Sequence, residues 1–360
     1  MSKILVLNPG STSTKIALFE DQTMLWQENV EHEAEVIQAF PTIFSQLEMR
    51  TEIVKSVLKG HKIRLSECSC IMSRGGLLPP LPSGAYKVNP EMLDVLENRP
   101  MNHHASNLGA AIAFRLGEAV GIPSYIYDPV TVDEMIDLVR ITGLQQIRRH
   151  GQGHNLNMRA AALRYCSEHR LDYRGQSLIV AHMGGGITLT LHEKGSIIDM
   201  ISDDEGPFST ERAGLIPAYK LCKLAFSDGY DYNSLMKLLQ RGGGLKSLLG
   251  ETDARSVEKR ISAGDEKALL AYQAMALSVA RSIASLAVVV NGSVDQIILT
   301  GGIAYSEMFT KMIRKRVSFI APVTVMPGEN EMQALADGAY RVLTHQEEAK
   351  EYSEADDRPF

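Results

Sequence analysis

Two stretches far apart in this chain carry glycines and hydroxyls at spacings suited to holding a phosphate chain. Residues 8–15 read Asn8-Pro9-Gly10-Ser11-Thr12-Ser13-Thr14-Lys15, and residues 183–186 read Met183-Gly184-Gly185-Gly186. Such turns present backbone N–H groups and O–H donors with little side-chain bulk. The surrounding pattern repeats as well: a short apolar run, the turn, an alternating strand, a charged tight turn and a third strand. Leu5 and Leu7 lead into the first turn, and Ile16, Leu18 and Phe19 follow it. Ile179 and Val180 lead into the second, and Ile187, Leu189 and Leu191 follow. One hairpin of this kind is weak evidence. Two at equivalent places predict a duplicated domain whose hairpins face a nucleotide across a cleft.

Further polar groups fall where strands should end. Asp128 follows Tyr127, and Gly301-Gly302 follows Leu299 and Thr300. In α/β sheets, ligands bind beyond the carboxyl ends of strands. Residues 145–154, QQIRRHGQGH, form a basic connection rich in His and Gly. The chain has no Walker A sequence, no GxGxxG with a downstream acidic ribose ligand and no protein-kinase signature. A P-loop protein and a Rossmann dehydrogenase are therefore excluded.

Strands 3–8, 13–20 and 23–30 are expected to carry the first turn, followed by a helix over 34–60 and a buried strand over 68–73. The proline-rich run 77–84 reads as a loop, since proline suits neither a central strand nor a helix interior. A helix over 105–120, a strand over 123–127 and a helix over 157–170 complete the first half. Beyond the second set of hairpins come a helix near 213–226, a long helix over 265–290 and a strand over 296–299. Leu269, Tyr272, Ala276, Val279, Ile283, Leu286 and Val290 form a continuous stripe on the long helix, predicting burial on a sheet, with a dimer seam as the alternative. Residues 347–360 are acidic and are expected to fray. Strands alternating with helices make the class α/β.

The 360 residues allow two domains with proper cores. Apolar content of 44% and charged content of 22% are those of a soluble globular protein. A net charge of -6 argues against nucleic acid as a partner, while leaving room for a local basic site. Cys68, Cys70, Cys166 and Cys222 lack metal-ligand spacing. No secretory signal is present, and the nearest apolar window, Ile283 to Val290, is too short for a membrane span. These features predict a cytoplasmic protein with reduced thiols.

The double-hairpin plan is similar to that of the superfamily of sugar kinases, actin and the heat-shock chaperone ATPases. Within it the chain resembles the acetate/butyrate kinases of the acetokinase family, the butyrate kinases most of all. The resemblance rests on LVLNPGSTSTK at the start, RGGLLPPLPSGAY at 74–86, HHASNLGA at 103–110, IYDPVTVDE at 126–134 and IRRHGQGHN at 147–155. It continues with AHMGGGITLTL at 181–191, STERAGLIP at 209–217, ETDARSVEKR at 251–260, IILTGGIAYSE at 297–307 and MPGENEMQALADGAY at 326–340. These pieces span nearly the whole chain in one order, which is more specific than any of them alone. The resemblance implies a duplicated actin-like ATPase fold with ATP in the interdomain cleft. It implies one domain of residues 1–155 plus 330–360 and a nucleotide-binding domain of residues 156–329.

The implied chemistry is reversible phosphoryl transfer from ATP to a short or branched fatty acid, with Mg²⁺ and arginine neutralising charge. Arg212 matches the family's transition-state arginine and His150 its transition-state histidine, with His154 close behind. His103, beside His104, matches a further active-site histidine, and Asp128 a catalytic aspartate. Asn8 and Glu331 match the metal-site residues, with Glu329 as the alternative carboxylate. Ser11, Ser13, Lys15 and the backbone of Gly184, Gly185 and Gly186 are implied to contact phosphate. Asp253, Arg255, Gly301 and Gly302 match the adenosine side. Where acetate kinases carry an arginine three residues before a histidine, this chain has Ile71 and Arg74; Arg74 is read as supplying the same guanidinium from a shifted place. Ser73, Asn102 and Arg149 replace residues that close the methyl pocket in acetate kinases, which predicts a longer acid than acetate. The implied partner is a small carboxylate, the expected assembly a homodimer or higher homo-oligomer, and no membrane is involved. An acetate or propionate kinase is the alternative of the same mechanism, and a non-catalytic nucleotide-binding regulator the alternative of another class.

Overall fold

The computed structural model describes residues 1–353, so the tail 354–360 lies outside the described residues. Twelve strands occur among them. In chain order they are β1 (Lys3–Pro9), β2 (Ser13–Glu20), β3 (Thr23–Glu31), β4 (Cys70–Arg74), β5 (Ala85–Lys87) and β6 (Ser124–Tyr127). They continue as β7 (Ser177–Met183), β8 (Ile187–Glu193), β9 (Ser196–Ile201), β10 (Gln296–Gly301), β11 (Val323–Pro327) and β12 (Lys350–Glu351). The chain forms two compact units: Met1–Asp133 with Asn330–Phe360, and Glu134–Glu329.

The first unit is built on a seven-stranded sheet of order β12-β5-β6-β4-β1-β2-β3, the second on a five-stranded sheet of order β11-β10-β7-β8-β9. The duplication is visible in this order. In both, an antiparallel meander (β1-β2-β3 and β7-β8-β9) is extended by two parallel strands on its first strand, β4 then β6 and β10 then β11. Each meander also carries a register shift between its second and third strands, at Leu18/Phe19 and at Leu191/His192.

Central parallel strands are covered on both faces, which explains the unbroken apolar runs of β1 and β7. In the first unit Leu5 and Leu7 of β1 join Val54 and Leu58 of the helix Leu47–Gly60 and Leu108, Ile112 and Leu116 of the helix Leu108–Val120 in one core. The helix Glu331–Leu343 also packs on β1 and β4. In the second unit the helix Glu266–Val289 packs against β7, β8 and β9. Its stripe from Tyr272 to Val290 is buried there, with Leu269 half-buried. This helix is long and apolar enough to cross a membrane by length and composition, contrary to the expectation that no window approaches that length. Its apolar face belongs to the core of its unit.

Three other expectations change. The helix over 34–60 is two pieces, Ala34–Gln38 and Leu47–Gly60, parted around Pro41. The helix near 213–226 is confined to Ala218–Ala225, because the backbone of residues 209–213 is hydrogen-bonded to residues 239–246 instead. The part of the tail expected to fray is ordered through residue 353: β12 pairs with β5, and the Glu347 carboxylate accepts from Tyr127 and Arg341.

The chain enters the second unit at Glu134, upstream of the 155/156 boundary expected. Residues 134–154 are fastened to β8, β9 and the loop after β9. Ile197 N donates to the Glu134 carboxylate, Ile136 N donates to Ile198 O, and Arg149 is locked onto Glu205 and Asp199.

Candidate active site

In the first unit, β1 delivers Asn8 and the turn delivers Ser11 and Ser13. Lys15 stands across the ladder from Asn8, on the same face of β2 as Ser13. Asn8 Nδ2 donates to Glu331 Oε2 at 2.7 Å, and Arg74 Nη1 approaches the other oxygen, Glu331 Oε1, at 3.0 Å. The carboxylate is thus shared between the end of β1 and the end of β4. Gly75 and Gly76 follow Arg74 because a Cβ at either would come within 2.6 Å of Pro129 or Leu96. Among the described residues, no three His, Cys, Asp or Glu side chains cluster as a metal cage. One carboxylate and one carboxamide fit a magnesium ion that keeps most of its shell as water and phosphate.

His104, beside the expected His103, is the histidine that reaches this turn. Its Nδ1 accepts from Ser106 N at 3.2 Å, which leaves Nε2 as the protonated nitrogen facing Ser11 Oγ at 3.5 Å. Partial burial and the charges of Arg74 and Arg50 hold its pKa below the ordinary histidine value. His103 is exposed. Asp128 is 2% exposed, and its carboxylate accepts from Gly84 N at 2.6 Å. Its φ of 37° is a strained value for a residue other than glycine, as found where structure holds a functional group in place.

In the second unit, β7 and β8 frame the glycine turn. Gly184 N donates to Gly186 O at 3.0 Å, and Ser209 Oγ donates to Gly185 O at 2.6 Å. Gly301 has a φ of 88°, and a Cβ there would meet the Met183 backbone at 2.5 Å, so only glycine lets β10 end against this turn. A Cβ at Gly302 would meet nothing within 4 Å. Arg212 Nε donates to Asp203 Oδ2 at 2.8 Å, and Arg212 N donates to Ser209 Oγ at 3.0 Å. Its ion-pair partner is therefore Asp203 rather than the adjacent Glu211. Asp203 also lies beside Gly186, whose Cβ would sit 3.4 Å from the carboxylate. The arginine and the glycine turn are brought together.

Of the two histidines in the basic connection, His150 is exposed while His154 lies at the turn. His154 Nδ1 meets Thr188 Oγ1 at 3.0 Å, its ring stacks on His182 with centroids 4.1 Å apart, and its Cε1 is 3.6 Å from a Gly186 Cβ. His182 in turn contacts Glu329 Oε1 at 3.1 Å. Glu329 and Glu331, two residues apart, thus belong to different units, and it is Glu331 that joins Asn8. Asp253 is the N-cap of the helix Ala254–Ser262, accepting from Arg255 N at 2.9 Å, and pairs with the exposed Arg255 guanidinium at 2.8 Å.

Two of the three residues expected to open the acyl pocket, Ser73 and Arg149, are committed elsewhere. Ser73 is fully buried and donates to Leu7 O at 3.2 Å, against Gly109 of the covering helix. Arg149 is held by Glu205, Asp199 and Val139 O. Leu78 and Leu81 of the proline-rich loop are core residues of the first unit. Only Asn102 of the three replaced positions is exposed. Arg50, which lies in no motif of the sequence, holds the Gly10–Thr14 turn with its guanidinium. A basic residue 40 positions from the turn carries no local signal of that contact.

Comparison with known proteins bears on the family and the fold. A profile described as the Acetokinase family matches residues 140–348. Butyrate kinase 2 of Clostridium acetobutylicum is 45% identical over 352 residues, covering 97% of this chain and 99% of that protein. The acetate kinase of Porphyromonas gingivalis superposes with a TM-score of 0.78 at 20% identity, over 95% of this chain and 100% of that one. A propionate kinase of Francisella tularensis superposes with a TM-score of 0.73 at 19% identity, over 94% and 99% of the two chains. At such identities the superpositions speak for the duplicated fold.

Proposed function

This chain belongs to the acetokinase family, and from that premise we propose that it is an ATP-dependent carboxylate kinase of the butyrate kinase type. It converts butyrate or a similar short or branched fatty acid and ATP into the acyl phosphate and ADP, reversibly. The observation that carries the acyl-chain reading is the near full-length relation to a butyrate kinase. The structural likeness to acetate and propionate kinases speaks only for the fold.

In the forward reaction a carboxylate oxygen of the acid forms a bond to the γ-phosphorus, and the bond from that phosphorus to the β,γ-bridging oxygen breaks. The electron pair leaves with ADP, and no proton need move. The difficulty is charge, because an anion attacks a polyanion, so positioned cations matter more than a base. Lys15, the Ser11 and Ser13 hydroxyls and the amides of the two glycine-bearing turns hold the phosphates. Arg212, oriented by Asp203, stabilises the transferring group with its fork of donors. His150 or His154 adds a further donor, and Arg74, held by Glu331, attracts the acid's carboxylate. Asp128 orients a cationic group or a metal-bound water from its strained strand end. Magnesium, when bound through Asn8 and Glu331, neutralises phosphate charge. Asp253, Arg255, Gly301 and Gly302 are assigned to adenosine, where Gly302 leaves open space.

Exposed Tyr219, Phe226 and Tyr232 support the expectation of a homo-oligomer, which sedimentation tests directly. Four free cysteines support a reducing, cytoplasmic setting. Burial pushes the Cys68 and Cys166 thiols up to about 11 and Cys70 up to about 12, which keeps them out of the chemistry. The deciding experiment is acyl hydroxamate formation with ATP, Mg²⁺ and a panel of acids from acetate to hexanoate. Butyrate or isobutyrate is expected to give the highest kcat/KM. Acetate in first place overturns the butyrate reading, and no product with any acid overturns the kinase reading.

A further inference from the structure

Arg50, on the helix Leu47–Gly60, heads the large side chains that are fully enclosed, with 0% exposure. Its Nε donates to Gln46 Oε1 at 3.1 Å. Its other hydrogen bonds all go to the first phosphate turn. Nη1 donates to Gly10 O at 2.9 Å, Ser13 O at 3.1 Å and Thr14 Oγ1 at 3.1 Å, and Nη2 donates to Ser11 O at 3.4 Å. None of these acceptors is a carboxylate. Burial, with no counter-ion among the described residues, pulls its pKa down to about 10, still far above neutrality, so the guanidinium remains charged. The neighbouring His32, whose Nε2 meets Thr14 Oγ1 at 2.8 Å, is pushed toward its neutral form by burial and by Arg50.

A buried, unpaired cation is costly and persists only where something balances it. Here the nearest compensation is a set of backbone dipoles in a turn made for anions. In a trans peptide the C=O of one residue and the N–H of the next point in opposite directions. Drawing the Gly10 and Ser11 carbonyls toward Arg50 therefore turns the Ser11 and Thr12 amides away from it. We propose that Arg50 is a positioning residue of the phosphate turn, which aims the Ser11 and Thr12 amides outward and whose charge is balanced by the phosphate chain of the bound nucleotide. This rests on the reading that the turn binds phosphate.

The test uses the full-length protein with Arg50→Met and Arg50→Lys, measuring binding of inorganic tripolyphosphate and of adenosine by calorimetry, together with kcat and KM for ATP. Arg50→Met is expected to weaken tripolyphosphate about ten- to a hundredfold, the scale of charge-assisted hydrogen bonds, while adenosine binding stays within about twofold. Arg50→Lys keeps the charge but not the fork, so it should recover much of the tripolyphosphate affinity while kcat stays depressed about tenfold or more. A purely structural residue would shift both ligands together. Equal tripolyphosphate affinity in wild type and Arg50→Met overturns the inference. Should Arg50→Met not fold, wild-type kcat in Arg50→Lys overturns it instead. Failure of the wild type itself to bind tripolyphosphate would remove the phosphate reading of the turn, and this inference with it.

Discussion

Asn8 and Glu331, 323 positions apart, meet side chain to side chain at 2.7 Å, and the second oxygen of the same carboxylate holds Arg74 at 3.0 Å. One carboxylate therefore fixes two groups assigned to different tasks, the metal and the acid. Glu331→Gln keeps the shape but removes the charge. It is expected to raise the Mg²⁺ concentration for half-maximal rate and also the KM for the acid, whereas Asn8→Ala should move only the Mg²⁺ requirement. Magnesium titrations of both variants that overlay wild type would sink the metal assignment.

Arg212→Ala should lower kcat about a hundred- to a thousandfold, the usual effect of removing a donor that acts on developing charge. ATP binding should be nearly unchanged, because the contact strengthens mainly in the transition state. Asp203→Asn, which loosens the arginine without removing it, is expected to show a smaller loss of the same kind. Wild-type turnover in Arg212→Ala excludes the role.

His150 and His154 separate by substitution to Gln. The sequence resemblance favours His150, which predicts the larger fall in kcat there. The stack of His154 on His182 and its bond to Thr188 place it beside Gly186. If His154→Gln has the deeper kcat defect, at matched KM for ATP, the transition-state role passes to His154.

His192 offers a pH test independent of catalysis. It is fully enclosed, bonded to Tyr173 and Thr190, and burial aided by Arg159 pushes its pKa down to about 3. In the unfolded chain the same group titrates near 6.5. As pH falls below about 6.5 the unfolded state takes up the proton first, so stability is lost, by up to about 1.4 kcal/mol per pH unit. The loss continues until the folded pKa is passed. Urea midpoints of wild type and His192→Gln should therefore converge as pH falls from 7 to 4. Parallel curves would show that His192 is not the source.

The legible parts of this molecule are those whose signal is local. The apolar runs around Gly10 and Gly184 predict both hairpins and their duplication, because strand alternation and turn chemistry are written within about 25 residues. The shared order of β6-β4-β1-β2-β3 and β11-β10-β7-β8-β9 bears that out. Arg50 carries no local signal because its partners at Gly10–Thr14 lie about 40 positions away along the chain. Ser73 misled for a related reason. Its replacement of an apolar residue looked like a change of pocket, yet its hydroxyl serves Leu7 O and its small size admits the helix at Gly109. Arg149 likewise reads as a pocket residue until Glu205 and Asp199 claim it.

The discontinuity of the first unit has a consequence for how the protein is made. Residues 134–329 form the second unit from a single continuous stretch, complete before residue 330 is synthesised. The first unit emerges from the ribosome earlier but lacks the helix that packs on β1 and β4 and the strand β12 that extends β5. It also lacks Glu331, so Asn8 and Arg74 wait without their shared carboxylate through the translation of the entire second unit. The order of maturation is therefore the reverse of the order of synthesis, and the half of the chain made first is the half finished last.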